Sequence, residues 1–328
     1  MEAGDGGAEE EQVMSEVHLG CPPHFSGLHI SRFSFSSRPI GTMFSRPSGD
    51  NDAVGGGGSE LAAATSGSCD SPDAVAVAED GDLVLDRRRR NRVKSDCHLL
   101  TIQHGVTRSL KSVGLQVWKA ALLLADFVLH KSFGGIRHVP LKNIECLSGL
   151  VGLAPARVAR RIFVTDRGTD ILDNCLANVH TNSGMLKFDE AKVCVRELDW
   201  KTSWPPPVGT YDPSDPSRYL WSVSEVEEAE KATVLFAADV IYSDDLTDLF
   251  FDTVKKLMSS GAKKVLYLAL EKRYNFSLDE LDVVANGYAH FRSFFTAHDE
   301  HGNPIDRYGP GFVGKQIDPA EIPQYIRE

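Results

Sequence analysis

Three strand-like runs in this chain end on carboxylates, and that is where its chemistry is to be sought. Val234-Leu-Phe-Ala-Ala-Asp239-Val-Ile-Tyr242 is an apolar run closing on an aspartate, with a phenol three residues later. Ile162-Phe-Val-Thr-Asp166 closes the same way, and Val193-Cys-Val-Arg-Glu-Leu-Asp199-Trp200 ends on an aspartate and an indole. In open α/β sheets ligands sit in the crevice outside the carboxyl ends of the strands. A carboxylate buried there is costly unless something polar or cationic pairs with it. Three acidic strand ends in order therefore imply one polar ligand held across the top of a single sheet. Asp166 falls where a doubly wound fold places the acceptor for a ribose diol. Asp199 and Trp200 suit an adenine, the carboxylate taking the exocyclic amine and the indole lying on the ring. Each has a plainer alternative: Trp200 as core at a strand end, Trp118 as part of an apolar helix stripe, Asp239 as a helix cap with Tyr242 half-buried beside it.

The elements that must position these groups follow from periodicity. From about Leu99 strands alternate with helices, which implies a parallel sheet covered on both faces. Apolar residues at 118, 121, 122, 125, 128 and 129 predict a helix over Val117 to Leu129. Gly168-Thr169 predicts a helix start, with Ile171, Leu172, Cys175, Leu176 and Val179 on its buried stripe. Helices carrying Leu246 to Leu257 and, from about Leu278, Leu281, Val284, Tyr288 and Phe291 flank a strand at Val265 to Glu271. The polar, Pro-rich stretch from about Lys201 to Lys231 predicts a surface loop, or part of a substrate-selecting rim carrying Trp204, Tyr219 and Trp221.

Composition narrows the class. The chain has 328 residues, 42% hydrophobic, a formal net charge of -11 and a pI near 5.5, which argues against wrapping nucleic acid through bulk charge. Six scattered cysteines without C-x-x-C or Cys/His spacing fit reduced thiols rather than disulfides or zinc, so no metal site is expected. No apolar run reaches the roughly 18 residues of a membrane span, and the N-terminus lacks signal-peptide blocks. Residues 1–95 are acidic and Gly-rich, a largely disordered composition, with the domain expected over 96–328. Within the tail, apolar Val13 to Phe35 reads as a β-like strap on the domain or a partner-binding segment. The basic run Arg87 to Lys94 reads as a nuclear import signal or a solvated charge run, placing the protein in the nucleus or, alternatively, the cytoplasm.

The order of these motifs resembles the seven-strand S-adenosylmethionine-dependent methyltransferases, in particular the methyltransferase 16 family of protein-lysine methyltransferases. Val117-Trp118 is similar to that family's N-terminal Trp motif, Glu197-Leu-Asp199-Trp200 to its adenine-contacting segment, and Asp239-Val-Ile-Tyr242 to its D-x-x-Y signature. The resemblance covers most of residues 100 to 300. It implies a Rossmann-like seven-strand sheet, S-adenosylmethionine as cofactor and a protein lysine as substrate. It further implies that Asp239 and Tyr242 act at the methyl group, and that Trp118, Gly149, Asp166, Asp199, Trp200 and Ala238 hold the cofactor.

The departure lies at the cofactor loop. The family carries Glu-x-Gly-x-Gly-x-Gly, whose glycines let backbone approach the ligand. Here the segment reads Ile144-Glu-Cys-Leu-Ser-Gly149-Leu-Val-Gly152-Leu-Ala-Pro155. Gly149 matches the last glycine and Glu145 the opening acid; the segment is shorter than the family's, and Pro155 falls where a helix should run. Arg137 to Asn143 is a poor central strand. The chain also stops where the resemblance leads one to expect a further strand pair. A catalytically inactive, methyltransferase-like binding protein is therefore the alternative reading. A nicotinamide-dependent dehydrogenase shares the acidic second-strand end, but this chain lacks G-x-G-x-x-G and such an enzyme offers no role for Asp239-x-x-Tyr242.

Overall fold

The computed structural model describes residues 12–15, 17, 27–36, 76–77, 83–84, 97–133, 143–146, 149–156, 159–209, 216–277, 282–295, 297–298, 304–305 and 311–327. The basic run at 87–94 and Leu278 and Leu281 lie outside them. The elements that matter run in the order β1 (Leu28–Ser36), β2 (Cys97–Gly105), α1 (Lys119–Phe133), β3 (Asn143–Cys146), α2 (Gly149–Leu153), β4 (Arg161–Asp166), α3 (Thr169–Leu186), β5 (Val193–Glu197), α4 (Val223–Glu230), β6 (Val234–Ala238), α5 (Asp244–Ser259), β7 (Val265–Ala269), α6 (Asn286–Ser293) and β8 (Ile326–Arg327).

Five of the strands form one parallel sheet in the order β7-β6-β3-β4-β5. Near-continuous apolar runs build it, as a sheet buried on both faces demands. Successive residues point to opposite faces. Ile162, Val164, Val234, Phe236 and Ala238 pack on the side of α1, α2 and α3. Phe163, Cys194, Leu235 and Ala237 pack on the side of α4 and α5. Strand order reverses between β3 and β6, so the switch-point crevice opens above their carboxyl ends. In a mixed α/β fold of this kind seven strands were expected; the described residues hold five in this sheet. Beyond β7, Asn275–Ser277 and Asp282–Val284 pair with each other, as do Ala297–His298 and Pro304–Ile305. Edge strand β7 is correspondingly half-exposed.

Three expectations are corrected. Asn143–Cys146, taken from Ile144 on as the cofactor loop, is the central strand, in register with Val234–Phe236 on one side and Arg161–Val164 on the other, while residues 137–142 lie outside the described residues. Ladder bonds from two buried neighbours outweigh its weak local signal. The last helix begins at Asn286, so Val284 belongs to a strand while Tyr288 and Phe291 are helical. The described part of the stretch from Lys201 to Lys231 (201–209 and 216–231) is neither inert loop nor rim: Trp204, Tyr219 and Trp221 are buried, and α4 lies on the sheet behind a Ser222/Glu225 capping box.

The apolar N-terminal segment does dock as a strand. β1 pairs antiparallel with β2 over nine residues and with β8, and Phe33 and Phe35 join the core beneath α1 and α3. Residues on both sides of position 95 thus share one sheet. Asp126 of α1 secures β8 by accepting from the N–H groups of Tyr325 and Ile326 (2.9 and 2.7 Å). On the opposite edge, α3 presents Asn174, Asn178 and Asn182, one turn apart, to β2. Asn178 and Asn182 accept from the N–H groups of Gln103 and Thr101 and donate to the carbonyls of the same residues, at 2.7–2.9 Å. Asn174 donates to the Gln103 carbonyl and accepts from its side-chain amide. Removing Asn182 strands a buried N–H and C=O, so Asn182→Ala should cost about 1–3 kcal/mol. Urea denaturation measures it; an unchanged midpoint would mean water serves the edge equally well.

Candidate active site at the switch point

The chain reaches the crevice through strand ends, so the site groups stand on rigid supports. β6 ends in Asp239, whose backbone N–H donates to Ala269 O (2.9 Å) and closes the ladder with β7. Asp239 adopts φ 55°, left-handed backbone that a non-glycine residue rarely takes. Its side chain is 2% exposed. Oδ2 pairs with Arg273 Nη2 at 2.9 Å, while Oδ1, equally buried, makes no hydrogen bond among the described residues. Burial raises the carboxyl's pKa, the Arg273 charge lowers it, the Glu271 charge raises it, and the Glu271 backbone N–H lowers it. Arg273 also lies over the Trp118 ring, 4.7 Å from its centroid. Next to Trp118, Lys119 pairs with Glu271 at 3.3 Å. The entry to α1 and the segment after β7 are thereby joined by two cation contacts.

Asp166 ends β4. Its Oδ1 accepts from the Arg167 N–H at 2.8 Å, and burial pushes its pKa up to about 6. Gly168 follows at φ 91°, which a side chain would resist, and turns the chain into α3. Over the carboxylate sits Gly114, where a Cβ would come within 3.3 Å of Asp166 Oδ2. Tyr242 is 49% exposed; burial and the Asp166 charge raise its phenol pKa, while Arg167 and Arg273 lower it. Trp118, Asp239, Tyr242 and Asp166 are thus one electrostatic neighbourhood, linked through Arg273 and Arg167.

The remaining predicted residues sit differently. Asp199 caps the short turn Trp200–Thr202: Oδ1 accepts from Lys201 N–H (3.0 Å) and Oδ2 pairs with Arg167 (3.0 Å). The Trp200 indole meets Phe250 of α5 edge-on at 5.2 Å. Ala238 is buried in the sheet, and Gly149 is the first residue of α2. Strand β3 and helix α2 are separated by residues 147 and 148, which lie outside the described residues. α2 is five residues long and ends before Pro155, as proline requires. Two contributors went unassigned in the sequence. Arg273 carried a signal, because a buried strand-end carboxylate demands a nearby cation; Gly114 carried none. Among the described residues no His/Cys/Asp/Glu cluster suits a metal, and no helix is long and apolar enough to cross a membrane.

Residues 94–215, spanning α1 through the turn after Asp199, match the family model described as lysine methyltransferase. That stretch, well under half of the chain, is similar to the family. The chain is also 33% identical over 258 residues to human methyltransferase-like protein 22, covering 77% of this chain and 59% of the relative. Against the mouse protein of the same name it is 36% identical over 260 residues, covering 77% and 61%. The chain thus spans about three-fifths of the length of these curated relatives. Trp118 and the strand ends of β4 and β5 all lie within the matched stretch. Asp239, Tyr242 and Arg273 lie beyond it, in the part aligned with the relatives as a whole.

Proposed function

We propose that this protein transfers a methyl group from S-adenosylmethionine to a lysine side chain of a protein substrate. The observation that carries this is Asp239. A carboxylate in left-handed backbone at the switch point, held by one oxygen and without a partner on the other, is an acceptor preorganised for a cation. The fit to S-adenosylmethionine is good at the sugar and sulfonium end. Asp166 retains acceptor capacity beyond its single turn bond, as a ribose diol requires, and Asp239 and Trp118 offer negative charge and a π-face. When bound, the cofactor supplies an electrophilic methyl group on a positively charged sulfur. The chain's own part is to align and to dry the site. Asp239 Oδ1 and the Tyr242 hydroxyl orient the incoming amine. The burial around the site disfavours its ammonium form, so a neutral lysine is presented without a strong general base.

One observation favours the inactive, ligand-binding reading. Both Asp199 oxygens are engaged, and Trp200 is turned onto Phe250, so the adenine end has fewer ready contacts. Calorimetric titration with S-adenosylhomocysteine separates the two. Micromolar binding by the wild type, weakened roughly a hundredfold by Asp166→Ala through loss of charge-assisted hydrogen bonds, supports the proposal. No binding by the folded protein supports the inactive reading. Because the Asp166 pKa is raised to about 6, its ionised form disappears as pH falls through that value. Affinity should therefore drop between pH 7.5 and pH 5, and Asp166→Asn should flatten the profile. A wild-type profile that is already flat would remove Asp166 from the ligand.

A further inference from the structure

We propose that Arg273 is a positioning residue of this site, fixing the Asp239 carboxylate through Oδ2 so that Oδ1 is presented to a cation brought by substrate or cofactor. The inference rests on Asp239 taking part in the transfer proposed above. Three observations converge on it. Asp239 is 2% exposed at its side chain and Arg273 37%, so the pair is a buried anion tied to a half-exposed cation. Removing the cation leaves an uncompensated buried charge, the costliest arrangement for an ion pair. The guanidinium is itself located over the Trp118 ring, 4.7 Å from its centroid, a contact that lysine's compact ammonium would make differently. Finally, one oxygen is consumed and the other is unpartnered among the described residues, so the contact orients the carboxylate rather than saturating it.

Other charges face the pair. Glu271, two residues before Arg273, pushes against Asp239, and Lys119 of α1 engages Glu271 at 3.3 Å. From the far side Asp166 and Arg167 act on Tyr242, which also feels Arg273. Arg273 is the cation whose contact with Asp239 is direct. Without it, burial and the Glu271 charge favour the protonated carboxyl with only the Glu271 backbone N–H opposing them, and a protonated Asp239 attracts no cation.

The test is a carbon-13 NMR titration of the full chain labelled at aspartate carboxyls, with the Asp239 signal assigned by its absence in Asp239→Asn. Arg273→Gln should raise the Asp239 midpoint by roughly one to two pH units. Arg273→Lys, which keeps charge but not the guanidinium, should fall between the wild type and the glutamine variant. A loss of packing alone would not grade the midpoint by charge. If Arg273→Gln does not fold, the upward shift in Arg273→Lys carries the test. An unchanged midpoint in the folded variants overturns the inference. Parallel calorimetry with S-adenosylhomocysteine keeps the two ideas apart: a wild type that shows the graded midpoints and binds nothing refutes the methyltransferase reading while leaving the Arg273–Asp239 coupling intact.

Discussion

Asp239→Ala should abolish methyl transfer, lowering it at least about a hundredfold, the loss that a misplaced reacting group brings. The variant removes the strand-end carboxylate whose buried Oδ1 makes no hydrogen bond among the described residues, and leaves Arg273 facing the vacated space beside the Trp118 ring. The incoming amine then loses its acceptor and the sulfonium meets a net positive wall. The effect is read as tritiated methyl passed from S-adenosylmethionine to proteins of a cell extract, wild type against variant. Because the proposed ribose contact is assigned to Asp166, S-adenosylhomocysteine binding should survive in Asp239→Ala, which separates a lost chemical step from a lost fold. Full transfer by the alanine variant would take Asp239 out of the site altogether.

The largest effect on stability is expected from Trp221→Ala. Its ring is fully buried, stacks on Phe163 of β4 at 5.1 Å and meets Trp204 edge-on at 5.6 Å. The indole N–H donates to the Glu197 carbonyl at the end of β5 (2.7 Å). Truncation forfeits the packing of a large aromatic side chain, about 3–5 kcal/mol, and strands a carbonyl worth about 1 kcal/mol more. For a domain of this size the melting temperature should fall by about 10 °C. Trp221 makes no hydrogen bond or ring contact with Trp118, Asp166, Asp239 or Tyr242, so S-adenosylhomocysteine binding should persist below the new transition. A cost under about 1 kcal/mol would show that the ring is not a keystone of that face.

What the sequence disclosed and what it withheld divide along the range of the forces involved. Strands β4, β5 and β6 were legible because apolar runs ending in Asp166, Asp199 and Asp239 are local patterns. So was α1, from its stripe. The core strand at Asn143–Cys146 was not, since four residues with little β-propensity are held there by ladders to Ile162 and Val234, each far along the chain. Trp204 and Trp221 read as loop aromatics because nothing nearby shows that Phe163 waits beneath them. Asp199 and Trp200 were legible as a strand end, but their partners Arg167 and Phe250 are supplied by other elements. Arg273 is the sharpest case. A buried Asp239 required a cation, yet the chain offers 35 lysines and arginines, and only the fold selects one.

The asparagines of α3 have a bearing on how this protein behaves among its own copies. A sheet edge with free N–H and C=O groups is a template on which another chain can add a strand, the first step toward aggregates. β2 is nine residues long and would be such a template. Asn178 and Asn182 occupy its Thr101 and Gln103 positions with side-chain amides that mimic a neighbouring backbone. At the other edge lies β8, only two residues long. One edge is capped and the other is short, which leaves this sheet little surface for recruiting a second molecule.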